Sequence, residues 1–552
     1  MTFKHWPQTL ALGSAMIALS ACGGGSTSSA PIAVVPPAPV PPTPPPANIT
    51  ISGIATFDRV PLNTTNGSGL NYNATRQDPI RGAIVELVNN SGTILESATT
   101  TATGAYSFTV ATGTSVRVRV KAQLLHTGGS SDIDLSVVDN TNSNTLYALQ
   151  GSLAAASTTT ATRNLNAGSG WGGTSYTGAR SAAPFALLDT LYDATQAFVA
   201  VDANIDFPTL NIFWSPQNRS ASGDVTQGEI GTSSFTRIGG VPTILILGDA
   251  DADTDEYDES VITHEFGHYF ERAFSRAGSI GGSHSLNNRL DMRVAFSEGF
   301  GNALAGFIDN PRYRDSFGND QSSDFGFELE ANTYAQPGWY SEGSIQSVLY
   351  DIMDANSDGA DVVSGGLGPV YRTLISTDYA NTNTATSIFT FDTALKTEGS
   401  LQAASLDALL TAQNIIGRGA DGAGETNDGN IPSALPVYKT LSIGGAAVEV
   451  CSVDDAGEYN KLGNRAFLTL NVPATQSVTL TADAVDGAGT SDPDIYIYQR
   501  DTRIATAISP VNNTETHSRN YGAGDYIIVV FDDANASVDG TGIDKCFNVQ
   551  AQ

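Results

Sequence analysis

Apolar positions along this chain fall into two rhythms, and the rhythm changes twice. From Ile51 to about Thr127 it has a period of two. In SVRVRVKA, Val116, Val118 and Val120 alternate with Arg117, Arg119 and Lys121, which predicts a strand with one buried face. RGAIVELVNNSGTILESATT reads as strand, Asn-Asn-Ser-Gly turn and strand, and TATGAYSFTV continues the series. Between about 150 and 432 the pattern is mixed. APFALLDTLYDATQAFVAV (183–201) and residues 257–276 suit helices, whereas TLNIFWS and PTILILGD suit strands, the signature of an α+β region. From about Val437 short strands return in RAFLTLNVPATQSVTLTADA, DPDIYIYQRD and AGDYIIVVFDD, set between Gly, Pro, Asn and Asp turns.

The start of the chain carries no such rhythm. Residues 1–22 hold one early Lys, an apolar run over Leu10–Leu19 and then small residues, the layout of a signal peptide too short to span a membrane. Gly/Ser-rich 23–30 and Pro-rich 31–47 predict a tether, partly extended as polyproline II. At 552 residues the chain is too long for one core. The expected organisation is leader 1–22, tether 23–48, an N-terminal β region 49–149, a mixed domain 150–432 and a C-terminal β region 433–552.

Charge changes the picture by exclusion. With 57 acids against 27 bases and a formal charge of −30, the chain lacks the Lys and Arg that nucleic acid requires, and it has no basic patch for anionic membranes. The acids suit a solvated surface, and a share of them could hold calcium. Among three cysteines, Cys22 closes the leader, and in an exported chain Cys451 and Cys546 read as a disulfide closing a long loop.

The chemistry concentrates in THEFGHYFE, residues 263–271. On a helix His264 and His268 lie about 40° apart around the axis, so both imidazoles can reach one ion. Ile262, Phe266, Tyr269 and Ala273 form the opposite, apolar stripe. Catalytic zinc takes three protein ligands and keeps a position for water. The third is expected from Glu298 in RVAFSEGFGNALAGF, where a helix would put Phe296, Phe300 and Phe307 on one side and Glu298 with Asn302 on the other. His284 in GSIGGSHS and acids such as Asp291 are the competing donors. Glu265, turned about 100° from His264, points away from the metal and is expected to be the general base that moves the water proton to the leaving amine. Two buried structural histidines are the rival explanation.

The His-Glu-x-x-His helix followed by SEGFGNALAG resembles the gluzincin class of metallopeptidases. The resemblance implies Glu298 as third ligand and a residue four further on that bonds a zinc histidine. That class usually has Asp there; this chain has Asn302, which can accept but carries no charge. The class also places an oxyanion-stabilising Tyr or His on a later segment, and PGWYSEGSIQSVLYDIMD resembles it, with Tyr340 as the candidate. PIRGAIVELV, TATGAYSF and GTSVRVRVKA resemble the carboxypeptidase regulatory-like domain, a small β-sandwich. The last 115 or so residues resemble the bacterial pre-peptidase C-terminal domain, in which Cys451 and Cys546 would link first and last strands. Leu19-Ser20-Ala21-Cys22 resembles a lipobox, implying a lipid anchor on Cys22.

Two acidic loops remain. GDADADTDEYDES alternates Asp249, Asp251, Asp253 and Asp255, and DANSDGAD offers Asp354, Asn356 and Asp358 before Gly359; both resemble calcium loops, although neither completes an EF-hand. The sequence therefore predicts a multidomain protein, an α+β zincin-like catalytic domain flanked by N- and C-terminal β-sandwiches. It is expected to be an exported zinc metallopeptidase acting on protein or peptide, lipid-anchored in the bacterial cell envelope or secreted. The alternative is a surface adhesion or carbohydrate-binding lipoprotein whose central domain is catalytically silent.

Overall fold

A computed structural model describes residues 47–552 apart from 65–67, 332, 356–361, 486–490, 511, 539–541 and 543. Strand Asn48–Arg59 opens it, pairing antiparallel with Ala105–Ala111 and, further along, with Arg76–Pro79. The valine-alternating segment forms Ser115–His126, with Val116, Val118 and Val120 buried and the residues between them half exposed, as its period of two requires.

That strand belongs to a ten-stranded sheet that crosses the expected boundary at 149/150. From one edge the order is Ser234–Ile238, Val241–Ile246, Leu210–Trp214, Ile133–Asp139, Ser115–His126, Ala83–Asn89 and Ile94–Thr99, with three short strands beside this path. Leu210–Trp214 runs parallel to both neighbours, Phe213 standing opposite Val138 on one side and Leu245 on the other. The N-terminal β region thus lends its strands to the central region instead of closing on itself. The physical reason is edge protection: Ile133–Asp139 is largely buried and would otherwise leave its ladder groups open.

The helices that carry or adjoin the site are α1 (Ala183–Val201), α2 (Glu259–Phe274), α3 (Met292–Ile308) and α4 (Glu342–Met353). Phe198 of α1 stacks on Phe270 of α2 with ring centroids 4.3 Å apart. Arg59, only 5% exposed, locks the first strand to these helices, bonding Asp189 of α1 at 2.6 Å and Glu259 at the start of α2. A buried arginine shared among several carboxylates is costly to break, because the partners would be left charged and dry.

The C-terminal region is a β-sandwich. A five-stranded sheet, ordered Lys439–Leu441, Ala466–Val472, Gly524–Asp532, Pro493–Gln499 and Thr502–Ala507, faces a four-stranded one ordered Val448–Ser452, Lys545–Ala551, Gln476–Ala484 and Thr514–Tyr521. Leu468, Leu470, Leu480, Ile495, Ile528 and Phe547 fill the space between. Gly524–Asp532 reads DYIIVVFD without alternation because both its faces are covered: Ile528 and Val530 face the sandwich core, while Ile527, Val529 and Phe531 join the large core of the rest of the molecule. Cys451 and Cys546 are disulfide-bonded directly across Val448–Ser452 and Lys545–Ala551, which ties the second strand of this region, not its first, to the last. No helix of the described residues is long and apolar enough to cross a membrane.

Candidate metal centre

α2 buries the predicted stripe, with Ile262, Phe266 and Tyr269 all at 0% exposure. That fixes its rotation and turns His264 and His268 toward α3. The two helices cross where each has a glycine. A Cβ on Gly267 would stand 3.1 Å from the Gly301 Cα, and one on Gly301 would come within 2.7 Å of His264 Nδ1. Any side chain at 301 would therefore push the imidazole away. α3 begins at Asp291, whose carboxylate accepts from the Arg293 N–H at 3.0 Å and pairs with its guanidinium at 2.8 Å. Asp291 is thereby committed to capping and is not a ligand candidate.

Three donors converge. His264 Nε2 and His268 Nε2 are 3.0 Å apart, and each is 3.2 Å from Glu298 Oε2. Donors held about 2.1 Å from one ion in tetrahedral array stand roughly 3.4 Å apart, so the spacing suits zinc. The far nitrogens are engaged. His264 Nδ1 bonds Asn302 Oδ1 at 2.8 Å, the Asn302 amide donates to Gln346 Oε1 at 2.9 Å, and Gln346 donates to the Tyr334 hydroxyl at 3.0 Å. This relay fixes which end of Asn302 faces the histidine. His268 Nδ1 meets Ser297 Oγ at 3.1 Å, and Ser297 donates to Glu271 at 2.5 Å. With both Nδ1 atoms used as donors, both Nε2 lone pairs are left for a ligand.

The charges within the set answer one another, and a metal bound at His268 Nε2 would displace the proton held there. Burial would raise the Glu298 carboxyl, but the His268 charge and hydrogen bonds from His264 and His268 outweigh it and hold the group well below the usual range. Burial likewise opposes a charged His268, yet Glu298 and Glu271 push it well above its ordinary value. Glu265 is turned out of this set, its Oε2 accepting from the Phe235 N–H at 2.6 Å. Burial raises its carboxyl, only partly offset by the neighbouring histidines. His264, Glu265, His268 and Glu298 line one cleft of about 740 Å³ along the edge strand Ser234–Ile238.

His284 joins them without replacing Glu298. Its Nε2 is 3.3 Å from Glu298 Oε2, and its Nδ1 is 2.7 Å from Glu342 at the start of α4. Burial disfavours its charged form, but Glu342 and Glu298 prevail and push it up to about 9, so Nε2 carries a proton at neutral pH. It is a hydrogen-bond donor to the cleft. Its loop is held by the C-terminal sandwich: Tyr459 donates to the Ile280 carbonyl at 3.0 Å, Asn460 to Gly281 at 2.8 Å and Lys461 to Ser283 at 2.7 Å. Sequence reading does not find Glu342, Ser297 or Gln346, since nothing local marks a residue that acts through a neighbour.

Tyr340 is not brought to the centre. Its ring is buried, its hydroxyl donates to Asn427 Oδ1 at 2.9 Å, and it lines neither this cleft nor the cavity beside it. The polar group that its segment turns toward His284 is Glu342, two residues on.

The acidic loops also differ from expectation. Asp249 accepts from the Asp251 N–H at 3.1 Å within a short turn, and Asp251 is exposed. Asp253 instead joins Asp255 and Asp315, one carboxylate oxygen of each lying within 4.8 Å of the others. Burial, followed by repulsion from Asp315, raises Asp253 to about 7; burial raises Asp315 to about 6. In the other loop Asp354 ends α4, while Asn356 and Asp358 lie outside the described residues, as does Cys22.

No family model matches the chain, and no curated protein matches it. Among solved structures it is similar to the pre-peptidase C-terminal domain of a collagenase from Bacillus anthracis, at 11% identity over 21% of this chain and 94% of that one, with a TM-score of 0.16. It is also similar to CorA, a surface-associated copper-binding protein of Methylomicrobium album BG8, at 9% identity over 21% and 96%, TM-score 0.16. A third is PliG of Aeromonas hydrophila, a periplasmic inhibitor of g-type lysozyme, at 15% identity over 21% and 99%, TM-score 0.13. Scores this low carry no argument about function.

Proposed function

We propose that this chain is a zinc metallopeptidase that hydrolyses peptide bonds in protein or peptide substrates, exported and carried by a tether whose Cys22 bears a lipid anchor. The observation that carries the reading is the convergence of His264 Nε2, His268 Nε2 and Glu298 Oε2 in a cleft that also contains Glu265. His264, His268 and Glu298 would hold the ion, and Asn302 and Ser297 orient the two imidazoles. Zinc supplies Lewis acidity, polarising a carbonyl and making water acidic near neutral pH.

The chain's own groups do the rest. Glu265, buried and held by the Phe235 amide, takes a proton from the attacking water as the new C–O bond forms. It then delivers that proton to the amine nitrogen as the C–N bond breaks, so the carboxylate is restored. His284, aligned by Glu342, donates to the carbonyl oxygen as charge develops there, the role the sequence assigned to Tyr340. The edge strand Ser234–Ile238 has one open side toward the cleft and suits an extended peptide lying alongside it.

The test is cleavage of gelatin by residues 47–552 and by Glu265→Gln, with zinc quantified in both. The expected result is about one zinc per chain in each, and a rate at least about 10²-fold lower in the variant. Equal rates in the two proteins would remove Glu265 from the mechanism, and absence of zinc from both would remove the centre.

A further inference from the structure

We infer that Asp253, Asp255 and Asp315 form a second metal site, for calcium, in a cavity that adjoins the zinc cleft. Asp253 and Asp255 lie just before α2, and Asp315 lies on strand Arg312–Phe317, which leads back alongside it. The chain brings the three together from positions about sixty residues apart, which no local turn motif would require.

Unanswered charge is what distinguishes this cluster from a solvated acidic surface. Asp255 is 2% exposed: Ser233 donates to its Oδ2, and its Oδ1 has no partner. Oδ1 of Asp253 and Oδ1 of Asp315 are also buried without a partner, as is Thr254 Oγ1 between the first two. Behind them Asp258 is fully buried, with Oδ2 held by the Ser316 amide and hydroxyl at 2.9 and 2.8 Å and Oδ1 unmet. Among the described residues no Lys or Arg forms an ion pair with any of the four; Arg314, the nearest base in sequence, pairs with Asp324. Buried carboxylates normally have a cation or several donors. A cation bound among them would supply the missing partner.

The donor set chooses which one. All donors are hard oxygens, with no imidazole or thiolate to favour zinc. Calcium–oxygen distances of about 2.3–2.6 Å allow ligand atoms on opposite sides of the ion to stand roughly 5 Å apart, which accommodates the 4.8 Å limit found here. A cavity of about 350 Å³ shares Glu265 and His264 with the zinc cleft and reaches these acids between Tyr313, Phe325 and Phe327, so an ion has an entry route. The arginine or lysine of a substrate is the competing occupant. The orphaned Oδ1 atoms are buried, which suits a small dehydrated ion held among them better than a broad guanidinium arriving from the cavity. Once bound, calcium would join the lead-in of α2 to the strand behind it and so fix the start of the zinc helix.

The experiment uses the zinc-loaded chain, freed of calcium, in equilibrium dialysis against ⁴⁵Ca²⁺, with unfolding temperature followed alongside. We expect about one Ca²⁺ per chain, an unfolding temperature that rises with Ca²⁺ but not with equal ionic strength of NaCl, and loss of both effects in Asp255→Asn and Asp315→Asn. Both variants should fold, since each removes one of several carboxylates that face one another with no base paired to them. Should either variant fail to fold, the Ca²⁺-dependent temperature rise of the parent chain still decides the matter. No retained Ca²⁺, or retention undiminished in folded Asp255→Asn, overturns the assignment. So does an outcome in which calcium is absent and Asp315→Asn instead abolishes a preference for cleaving beside Arg or Lys. Zinc content is read separately in every sample, so failure here leaves the peptidase reading untouched, and the converse also holds.

Discussion

Two clusters of ionisable groups lie in adjoining cavities that share Glu265, and they meet their charge in opposite ways. On one side Glu298 faces three histidines, and each imidazole is oriented from behind by a side chain of its own, Asn302, Ser297 or Glu342. On the other, Asp253, Asp255 and Asp315 face one another, with Asp258 behind and, among the described residues, no base paired to any of them. The first cluster is internally neutralised and keeps its geometry before any ion arrives. The second repels itself. The contrast teaches that preorganisation and affinity can be built separately: the histidine site relies on rigid contacts behind its ligands, whereas the aspartate cluster gathers carboxylates whose mutual repulsion a bound cation would relieve.

The rigidity of the histidine side is most exposed at the helix crossing. Replacing Gly301 by Ala places a methyl group within 2.7 Å of His264 Nδ1, where Asn302 must also reach. We expect about 1–3 kcal/mol lower stability and loss of most bound zinc, measured by denaturant unfolding and metal analysis on the same preparation. If Gly301→Ala kept full zinc and stability, the close α2–α3 approach would not be what sets the site.

A smaller effect is expected one row further out. Asn302→Ala removes the acceptor for His264 Nδ1 and leaves Gln346 without its donor. Zinc affinity should fall by about 10–100-fold, read by competition with a chromophoric chelator, with the calcium stoichiometry unchanged. An equal fall in both metals would mean that the two clusters are mechanically one.

Legibility in the sequence depends on where each signal lies. His264, Glu265 and His268 are readable because one helix turn fixes their relation, and Glu298 with Asn302 because Phe296 and Phe300 set the opposite face of α3. The strand rhythms are equally clear, but a period of two says nothing about which sheet a strand joins. Hence the continuity of Ile133–Asp139 with Leu210–Trp214 could not be foreseen. Tyr340 stands out in the sequence ahead of Glu342 because position along a segment does not reveal which side chain turns into the cleft. The acids of 249–255 read as a local loop; the actual association of two of them depends on Asp315, and only tertiary structure brings that residue near.

The finest test of the contrast is a pair of neutralising substitutions made in metal-free protein. Glu298→Gln removes the one carboxylate that His264, His268 and His284 share, leaving the raised His268 and His284 without that common counter-charge. Asp255→Asn removes one of several carboxylates that have only each other, while the amide oxygen that replaces it can still accept from Ser233. The same chemical change, carboxylate to amide, should therefore have opposite signs: about 1–2 kcal/mol lost for Glu298→Gln and on the order of 1 kcal/mol gained for Asp255→Asn. Chemical denaturation at neutral pH, with both metals removed, measures both. Adding calcium should then reverse the order for Asp255→Asn, since the unmodified chain gains binding free energy that the variant has given up. Two losses of equal size in metal-free protein would show that Asp255 is already satisfied within the fold, and the distinction between the two clusters would disappear.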